Sequence, residues 1–195
     1  MGSDRGQGFK KSKKTYLIVT EGEKTEPEYF EIIKTLMNND SSFAKIFKCG
    51  KKTDPRSILK AKGRPQYKGA DEVWLVLDVD NNPKKAFDEL FKWRDEKPGK
   101  NHLAISNPCF EFHLLLHFLE KKPKGLLTGK KCLKELKKYI PDYDKGTKKR
   151  DFTLPKIKQA IQIAKEIEHN NEDRLILERN GSTVYELVEK LIKTD

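Results

Sequence analysis

Three runs of apolar, β-rich residues mark the first half of the chain. They are Thr15–Thr20, Glu72–Asp78 and His102–Ser106. None of the runs alternates between apolar and polar positions, which is typical of strands buried on both faces of a parallel sheet. Turn residues and apolar positions at helical spacing follow each run. The pattern predicts alternating strands and helices, and therefore a right-handed α/β fold with a parallel sheet.

The same criteria predict the elements between these strands. A capping box of Thr25 and Glu28 marks the start of a helix after the first strand. We also predict a weaker strand at Phe43–Cys49 and helices near Arg56–Ala61, near Lys84–Arg94 and, capped by Asn107, from Pro108 to about Leu119.

The last third of the chain is predicted to be mostly helical. We predict helices at Lys130–Tyr139, at Pro155–His169 and from a Thr183–Glu186 capping box to Lys193, with a short strand at Leu175–Leu177. The predicted organisation is a flexible basic tail at residues 1–14 and a single α/β domain at residues 15–195. The helical C-terminal part of that domain begins at about residue 121 and packs on the same core.

The net charge of the chain indicates which class of partner it binds. The chain has 41 Lys and Arg residues against 30 Asp and Glu residues, which gives a formal net charge of +11. A basic balance of this size attracts polyanions, of which nucleic acid is the commonest, although a lysine-rich solvated surface would give the same number. Met1–Lys14 has no apolar core of a signal peptide, and Phe110–Leu119 is too short to cross a bilayer. We therefore expect a soluble cytoplasmic protein with no membrane partner.

Acidic residues follow the predicted strands at their carboxyl ends. Glu21 comes after the first strand, Asp78 ends the second, and Asp80 lies two residues further on. Ligands bind at this edge of open parallel sheets, and residues i and i+2 of an extended chain face the same side. Such carboxylates suit Mg²⁺, with Mn²⁺ as an alternative, and a phosphodiester can displace the waters of the ion. The interpretation that these acids only cap the following helices stays open.

Three further residues are candidates for the same edge of the sheet. Glu111 and Glu26 each lie in the first turn of a helix, where they are either metal ligands or favourable charges at the helix dipole. His113 and His117 share a helix face, but the residues between them provide no glutamate, so a zinc site of the HExxH type is not favoured. His113 remains a candidate proton donor or additional ligand.

Basic residues in two segments are candidate contacts to a phosphate backbone, and each is equally compatible with a solvated surface charge. They are Lys51, Lys52, Arg56, Lys60 and Arg64, together with Lys148, Lys149 and Arg150.

Four blocks of sequence, in this order, resemble the motifs of the RloB-like family. They are Val19–Glu26 with Tyr29-Phe30, Leu77–Asp80, Ser106–Glu111 with Leu114–Phe118, and Asn180–Thr183 with Leu187-Val188. Members of this family look like variants of the Toprim fold, the metal-binding domain of bacterial primases, topoisomerases and OLD-type nucleases. The resemblance implies a Toprim-like sheet in which Glu21, Asp78 and Asp80 hold Mg²⁺, and Glu111 matches an acidic position of the family. It also implies phage-defence or restriction loci and an ATPase partner.

Two positions depart from the family pattern. His113 stands where an aromatic residue, often tryptophan, is expected, and Gly181 stands where proline is expected. Neither departure affects the acidic residues, but together they leave the choice of substrate open.

These observations lead to one main hypothesis and two alternatives. The main hypothesis is a Mg²⁺-dependent endonuclease acting on DNA or RNA as an effector of phage defence. The first alternative is a nucleic-acid-binding or scaffold module without catalysis. The second is a haloacid-dehalogenase-type phosphotransfer enzyme, because Leu75–Asp80 is similar to the nucleophile strand of that class. Such enzymes need a second acidic pair after a later apolar strand, and Asp142 and Asp144 do not follow one.

Overall fold

The sheet predicted from the apolar runs is present in the computed structural model, which describes residues 13–37, 42–49, 55–61, 69–80, 82–144, 146, 148, 151–168 and 175–193. Its five strands lie in the order β2-β1-β3-β4-β5. They are β1 (Lys14–Thr20), β2 (Ser42–Lys48), β3 (Glu72–Asp78), β4 (Asn101–Asn107) and β5 (Gly181–Ser182). The first four are parallel, and β5 runs antiparallel to β4.

Seven α-helices and three short 3-10 helices complete the described part of the chain. The α-helices are α1 (Thr25–Lys34), α2 (Ser57–Ala61), α3 (Asp88–Glu96), α4 (Phe110–Leu115), α5 (Gly129–Tyr139), α6 (Leu154–Glu168) and α7 (Val184–Ile192). The 3-10 helices are Lys84–Phe87, Leu116–Phe118 and Leu175–Leu177. The α/β class and the helical C-terminal part are therefore confirmed. Among the described residues, no helix is long and apolar enough to cross a membrane.

Both faces of the sheet are covered, which explains why the central strands do not alternate. Successive side chains of a strand point to opposite faces. In β3, Trp74 and Val76 join one core with helices α1, α5, α6 and α7, whereas Leu75 and Leu77 join a second core with α3. Six of the seven residues of β3 are buried. Only the last residue, Asp78, is partly exposed, at the carboxyl end of the strand.

The two helices with predicted capping boxes begin differently from the prediction. Thr25 is already the first residue of α1, and the N-cap position belongs to Lys24. Thr183 does take the N-cap position of α7. However, its hydroxyl accepts a hydrogen bond from the Ile105 N–H of β4 at 2.8 Å. A side chain that local sequence assigns to a helix end is thus used to attach that helix to the sheet.

The segment after β4 also differs from the prediction. The Asn107–Pro108 peptide bond is cis, and α4 begins only at Phe110, after an N-cap at Cys109. Asn107 does not cap this helix, because its side-chain amide donates to the Ile176 carbonyl at 2.8 Å.

The predicted strand at Leu175–Leu177 is wrong, because this segment is a 3-10 helix. Its central residue, Ile176, is buried against the second core. At the other end of the chain, residues 1–12 lie outside the described residues, and Lys14 already belongs to β1, so the predicted tail extends too far. The predicted helix at Lys84–Arg94 is divided between a 3-10 helix and α3.

Candidate metal centre

The carboxyl ends of β1, β3 and β4 meet at one edge of the sheet. The pairing register places Thr20 beside Val76 and Asp78 beside Ser106. The Glu21 N–H donates to the Val76 carbonyl at 3.1 Å, which continues the pairing by one residue beyond β1. Segments that are distant in sequence therefore bring their acidic residues to the same edge.

Asp78 lies at the centre of a group of four carboxylates. Burial raises the pKa of Asp78 well above its ordinary value, and the negative charges of Glu26, Glu111 and Glu21 raise it further, in that order. A hydrogen bond with the Phe110 backbone acts in the opposite direction but is outweighed. Glu21 also touches the strand itself, because one of its carboxylate oxygens lies 3.4 Å from the Asp78 N–H that donates to it.

Glu26 reaches this group because the turn after β1 contains glycine. Glu26 lies in the first turn of α1 and is buried. A Cβ atom built on Gly22 would collide with both carboxylate oxygens of Glu26. Any other residue at position 22 would therefore displace the Glu26 carboxylate. Sequence left the role of Glu26 open, and the structure places it beside Asp78.

Glu111 is held by a tyrosine that the sequence did not indicate. The Tyr143 hydroxyl donates to Glu111 Oε1 at 3.1 Å and lies 3.4 Å from the Thr25 hydroxyl. Burial, followed by the charge of Glu111, raises the pKa of Tyr143, so the phenol remains a neutral donor. Tyr143 follows α5 and is 32 residues from Glu111, and no motif connects the two positions.

Asp80 occupies a different environment from Asp78. It is exposed, and its φ of 45° shows that the chain has left the extended conformation. Its N–H donates to the Pro108 carbonyl at 2.7 Å. The argument that residues i and i+2 share a face therefore does not apply to this pair. Asp80 lies in an exposed turn, whereas Glu21, Glu26 and Glu111 surround Asp78.

His113 belongs to a buried polar network between α1 and α4. Its Nε2 lies 3.1 Å from the Tyr29 hydroxyl, and its Nδ1 lies 3.1 Å from Ser182 Oγ. His117 Nε2 contacts the same Tyr29 hydroxyl at 3.0 Å. Burial lowers the pKa of both histidines, that of His117 to about 4, so both are neutral at pH 7. Both ring nitrogens of His113 are thus engaged in the core.

The four carboxylates fit a hard divalent cation in their chemistry. Asp78 Oδ1 is buried and has no hydrogen-bond partner among the described residues. Buried polar atoms without partners are rare, and oxygen-only donor sets suit Mg²⁺. In the arrangement described, no group of three or more His, Cys, Asp or Glu side chains could hold a metal ion within the described residues. Binding would therefore require the carboxylates to turn toward a common point.

The predicted phosphate contacts are only partly described. Arg56 is exposed and lies 3.7 Å from Glu89, and Lys148 pairs with Asp142. Lys60 belongs to α2. The remaining candidates lie outside the described residues, namely Lys51, Lys52, Arg64, Lys149 and Arg150.

Comparison with known proteins gives one family. The model of the family described as RloB-like protein matches residues 16–191, which is nearly the whole chain. No curated protein and no solved structure matches at a significant level. The resemblance carried by the four sequence blocks is thus confirmed at the level of the family. The chain belongs to the RloB-like family.

Proposed function

We propose that this protein is a Mg²⁺-dependent endonuclease whose metal centre is built around Asp78. The observation that carries the proposal is the buried Asp78 Oδ1, which has no hydrogen-bond partner in the described part of the chain. The negative charges of three other carboxylates also disfavour the ionised form of Asp78. Such a group is costly unless a proton or a cation neutralises it. Its position beyond the carboxyl ends of parallel strands is where α/β proteins bind ligands.

The chain's own residues have separate roles in this proposal. Asp78 and Glu21 would hold the cation from β3 and from the turn after β1, and Glu26 and Glu111 would complete the oxygen ligands from helices α1 and α4. Tyr143 orients Glu111 through its hydrogen bond at 3.1 Å. A divalent cation at such a site neutralises phosphoryl oxygens of a phosphodiester and lowers the pKa of water. The net charge of +11 supports nucleic acid as the substrate.

The family supports a wider context for this activity. We propose, by resemblance to RloB-like proteins, a Toprim-type metal domain that acts in phage defence together with an ATPase partner. The Toprim pattern gives Asp80 the place of a ligand next to Glu21 and Asp78. The geometry around Asp78 instead favours Glu26 and Glu111.

Cleavage of a mixed substrate panel tests the activity. The panel contains single-stranded DNA, duplex DNA, messenger-like RNA and transfer RNA, each with Mg²⁺, with Mn²⁺ or with EDTA. We expect metal-dependent cleavage by the wild type and a loss of at least about a thousandfold in Asp78→Asn. The estimate follows because a metal contributes several kcal/mol to the transition state, and about 1.4 kcal/mol corresponds to tenfold in rate.

Two matched substitutions separate the alternative ligand sets. Glu26→Gln removes a charge that acts on Asp78, and Asp80→Asn removes the charge in the exposed turn. If Glu26→Gln loses activity and Asp80→Asn retains it, the ligands are those around Asp78. The reverse result would favour the Toprim pattern. If the wild type binds every polymer but cleaves none, even in the presence of its ATPase partner, the protein is a binding module.

A further inference from the structure

A dense group of lysines covers α5 and the segment that leads to it. Residues 121–138 contain eight lysines and a single glutamate. All eight lysines are exposed, and we call them the lysine face: Lys121, Lys122, Lys124, Lys130, Lys131, Lys134, Lys137 and Lys138. This group is separate from the phosphate contacts suggested by sequence.

Acidic side chains of the described residues neutralise little of the positive charge of the lysine face. Cys132 and Leu136 lie on the opposite side of α5 and are fully buried, so the lysines lie on the side that faces solvent. Within the described residues, its only ion pair joins Lys138 to Glu135. Like charges three or four residues apart on a helix repel one another and destabilise it. Lys137 and Lys138 favour the helix through its dipole in the last turn, but the remaining lysines do not, and the face as a whole is suited to a polyanionic partner.

The contacts of α5 place the lysine face next to the four carboxylates. Near the start of α5, Cys132 packs in one buried cluster with Phe112 of α4 and with Cys109, which precedes that helix. After the end of α5, Tyr143 donates to Glu111 at 3.1 Å. Both ends of the helix are thus fixed to the metal centre, and a strand bound along α5 would pass beside it.

An exposed aromatic ring lies at the end of the lysine face. Tyr139 is 47% exposed, and its ring stacks on Phe118 with centroids 5.3 Å apart and planes inclined by 19°. Lys156 Nζ lies 4.4 Å from the Phe118 ring centroid. Aromatic rings interspersed with cations are typical of surfaces that bind single-stranded nucleic acid, where bases stack on the rings and cations follow the phosphates.

We propose that the lysine face and Tyr139 bind single-stranded DNA or RNA. The lysines contact successive phosphates, and an unpaired base stacks on Tyr139. The delivery of a phosphodiester to the carboxylates rests on the proposed function, but binding at this surface does not. Single strands are favoured over duplexes because the face of a paired base is already stacked on its neighbours and is not available to an isolated ring.

A triple substitution tests the lysine face against a control of equal charge. Lys130, Lys134 and Lys137 are changed to glutamine in one variant, and Lys85, Lys92 and Lys97 in the control. The control lysines are exposed and lie in α3 or next to it, and α3 packs on the other face of the sheet. Binding of a fluorescein-labelled single strand is measured by anisotropy in EDTA over a range of salt concentrations, so that cleavage plays no part.

We expect the α5 variant to bind about ten- to a hundredfold more weakly at low salt, and the control to change by less than about threefold. The slope of log affinity against log salt should fall by about 2 in the α5 variant, because each phosphate contact on a single strand contributes about 0.7. Equal losses in both variants would overturn the inference, since net charge alone would then explain binding.

Tyr139→Leu tests the stacking ring separately. We expect it to weaken single-strand binding by about tenfold and to leave duplex binding unchanged. Equal effects on both polymers, or no effect on either, would remove the ring from the site. If the lysine variants lose binding but the wild type itself cleaves no polymer, the proposed nuclease fails and this surface stands. If cleavage requires Asp78 but the lysine variants bind and cleave normally, this surface fails and the nuclease stands.

Discussion

The two ends of strand β3 carry one carboxylate each, and the surroundings of the two carboxylates are opposite. Glu72 is the first residue of β3, and its side chain is 4% exposed. It accepts hydrogen bonds from Trp74 Nε1 at 2.9 Å and from Lys190 at 3.1 Å, and it forms an ion pair with Lys14 at 2.7 Å. Burial raises the pKa of Glu72, but its bonds with Lys14, Trp74 and Lys190 outweigh burial and lower the pKa overall.

Asp78, at the last position of β3, is surrounded by acids. Glu26, Glu111 and Glu21 all act on it, and burial together with these charges raises its pKa. The difference shows which of the two carboxylates is neutralised by cationic side chains of the protein itself. Glu72 has its cations from the chain and is a structural residue, whereas Asp78 needs either a proton or a cation from solution.

The largest effect should come from supplying that cation. We expect Mg²⁺ at a hundredfold excess over its Kd to raise the free energy of unfolding of the wild type by about 2.7 kcal/mol relative to EDTA. Asp78→Asn should show almost no gain, and Glu72→Gln should keep the full gain. Urea unfolding with and without Mg²⁺ measures all three. An equal gain in Asp78→Asn would mean that the ion binds elsewhere.

Removing the charge of Glu72 tests the other end of the strand. Glu72→Gln should lower the free energy of unfolding by about 2 kcal/mol, because two lysines lose their buried partner. The loss is smaller than for a fully buried pair, since the side chains of Lys14 and Lys190 are 49% and 40% exposed and can regain water.

Glu89→Gln is the matched control for this measurement. It breaks the exposed pair of Arg56 and Glu89, so its effect should be within about 0.5 kcal/mol. If Glu72→Gln were as mild as Glu89→Gln, the contrast between the two ends of β3 would disappear.

The fold could be predicted from sequence where burial controls the pattern. The apolar runs of β1, β3 and β4 are unambiguous because helices cover both sides of the sheet. Short segments were less predictable. The three apolar residues Leu175–Leu177 fit a strand or a helical turn equally well, and only the packing of Ile176 determines which one forms. Thr183 resembles a helix cap, but its hydroxyl bonds to β4.

In the candidate site, sequence could predict only the positions of the acidic residues that lie at the ends of strands. Glu21 and Asp78 meet because parallel strands end at a common edge. The position of Glu26 depends on the glycine turn and on the rotation of α1, and neither can be read from a charge pattern. Asp80 was placed by assuming an extended backbone, which its positive φ excludes. Tyr143 reaches Glu111 through a tertiary contact that leaves no local signal.

The smallest expected effect concerns Asp78 in the absence of metal, and its sign is opposite to that of Glu72. Because the pKa of Asp78 is raised, its contribution to stability is complete below its ordinary value of 3.8 and is lost as pH rises through the raised pKa. The lowered pKa of Glu72 has the reverse effect, so its contribution is complete above 4.5 and is lost as pH falls through the lowered pKa.

Asp78→Asn in EDTA should therefore be more stable than the wild type at pH 8, by about 1 kcal/mol, because it removes the charge that burial and the neighbouring carboxylates oppose. The advantage should shrink as pH falls toward 4, because the wild-type carboxyl then takes up a proton and is no longer repelled by its neighbours. Urea unfolding of both proteins from pH 4 to pH 8 measures this difference. A difference that does not vary with pH, or a wild type that is the more stable protein at pH 8 without metal, would mean that a group of the chain already neutralises Asp78, and the case for an external cation would be lost.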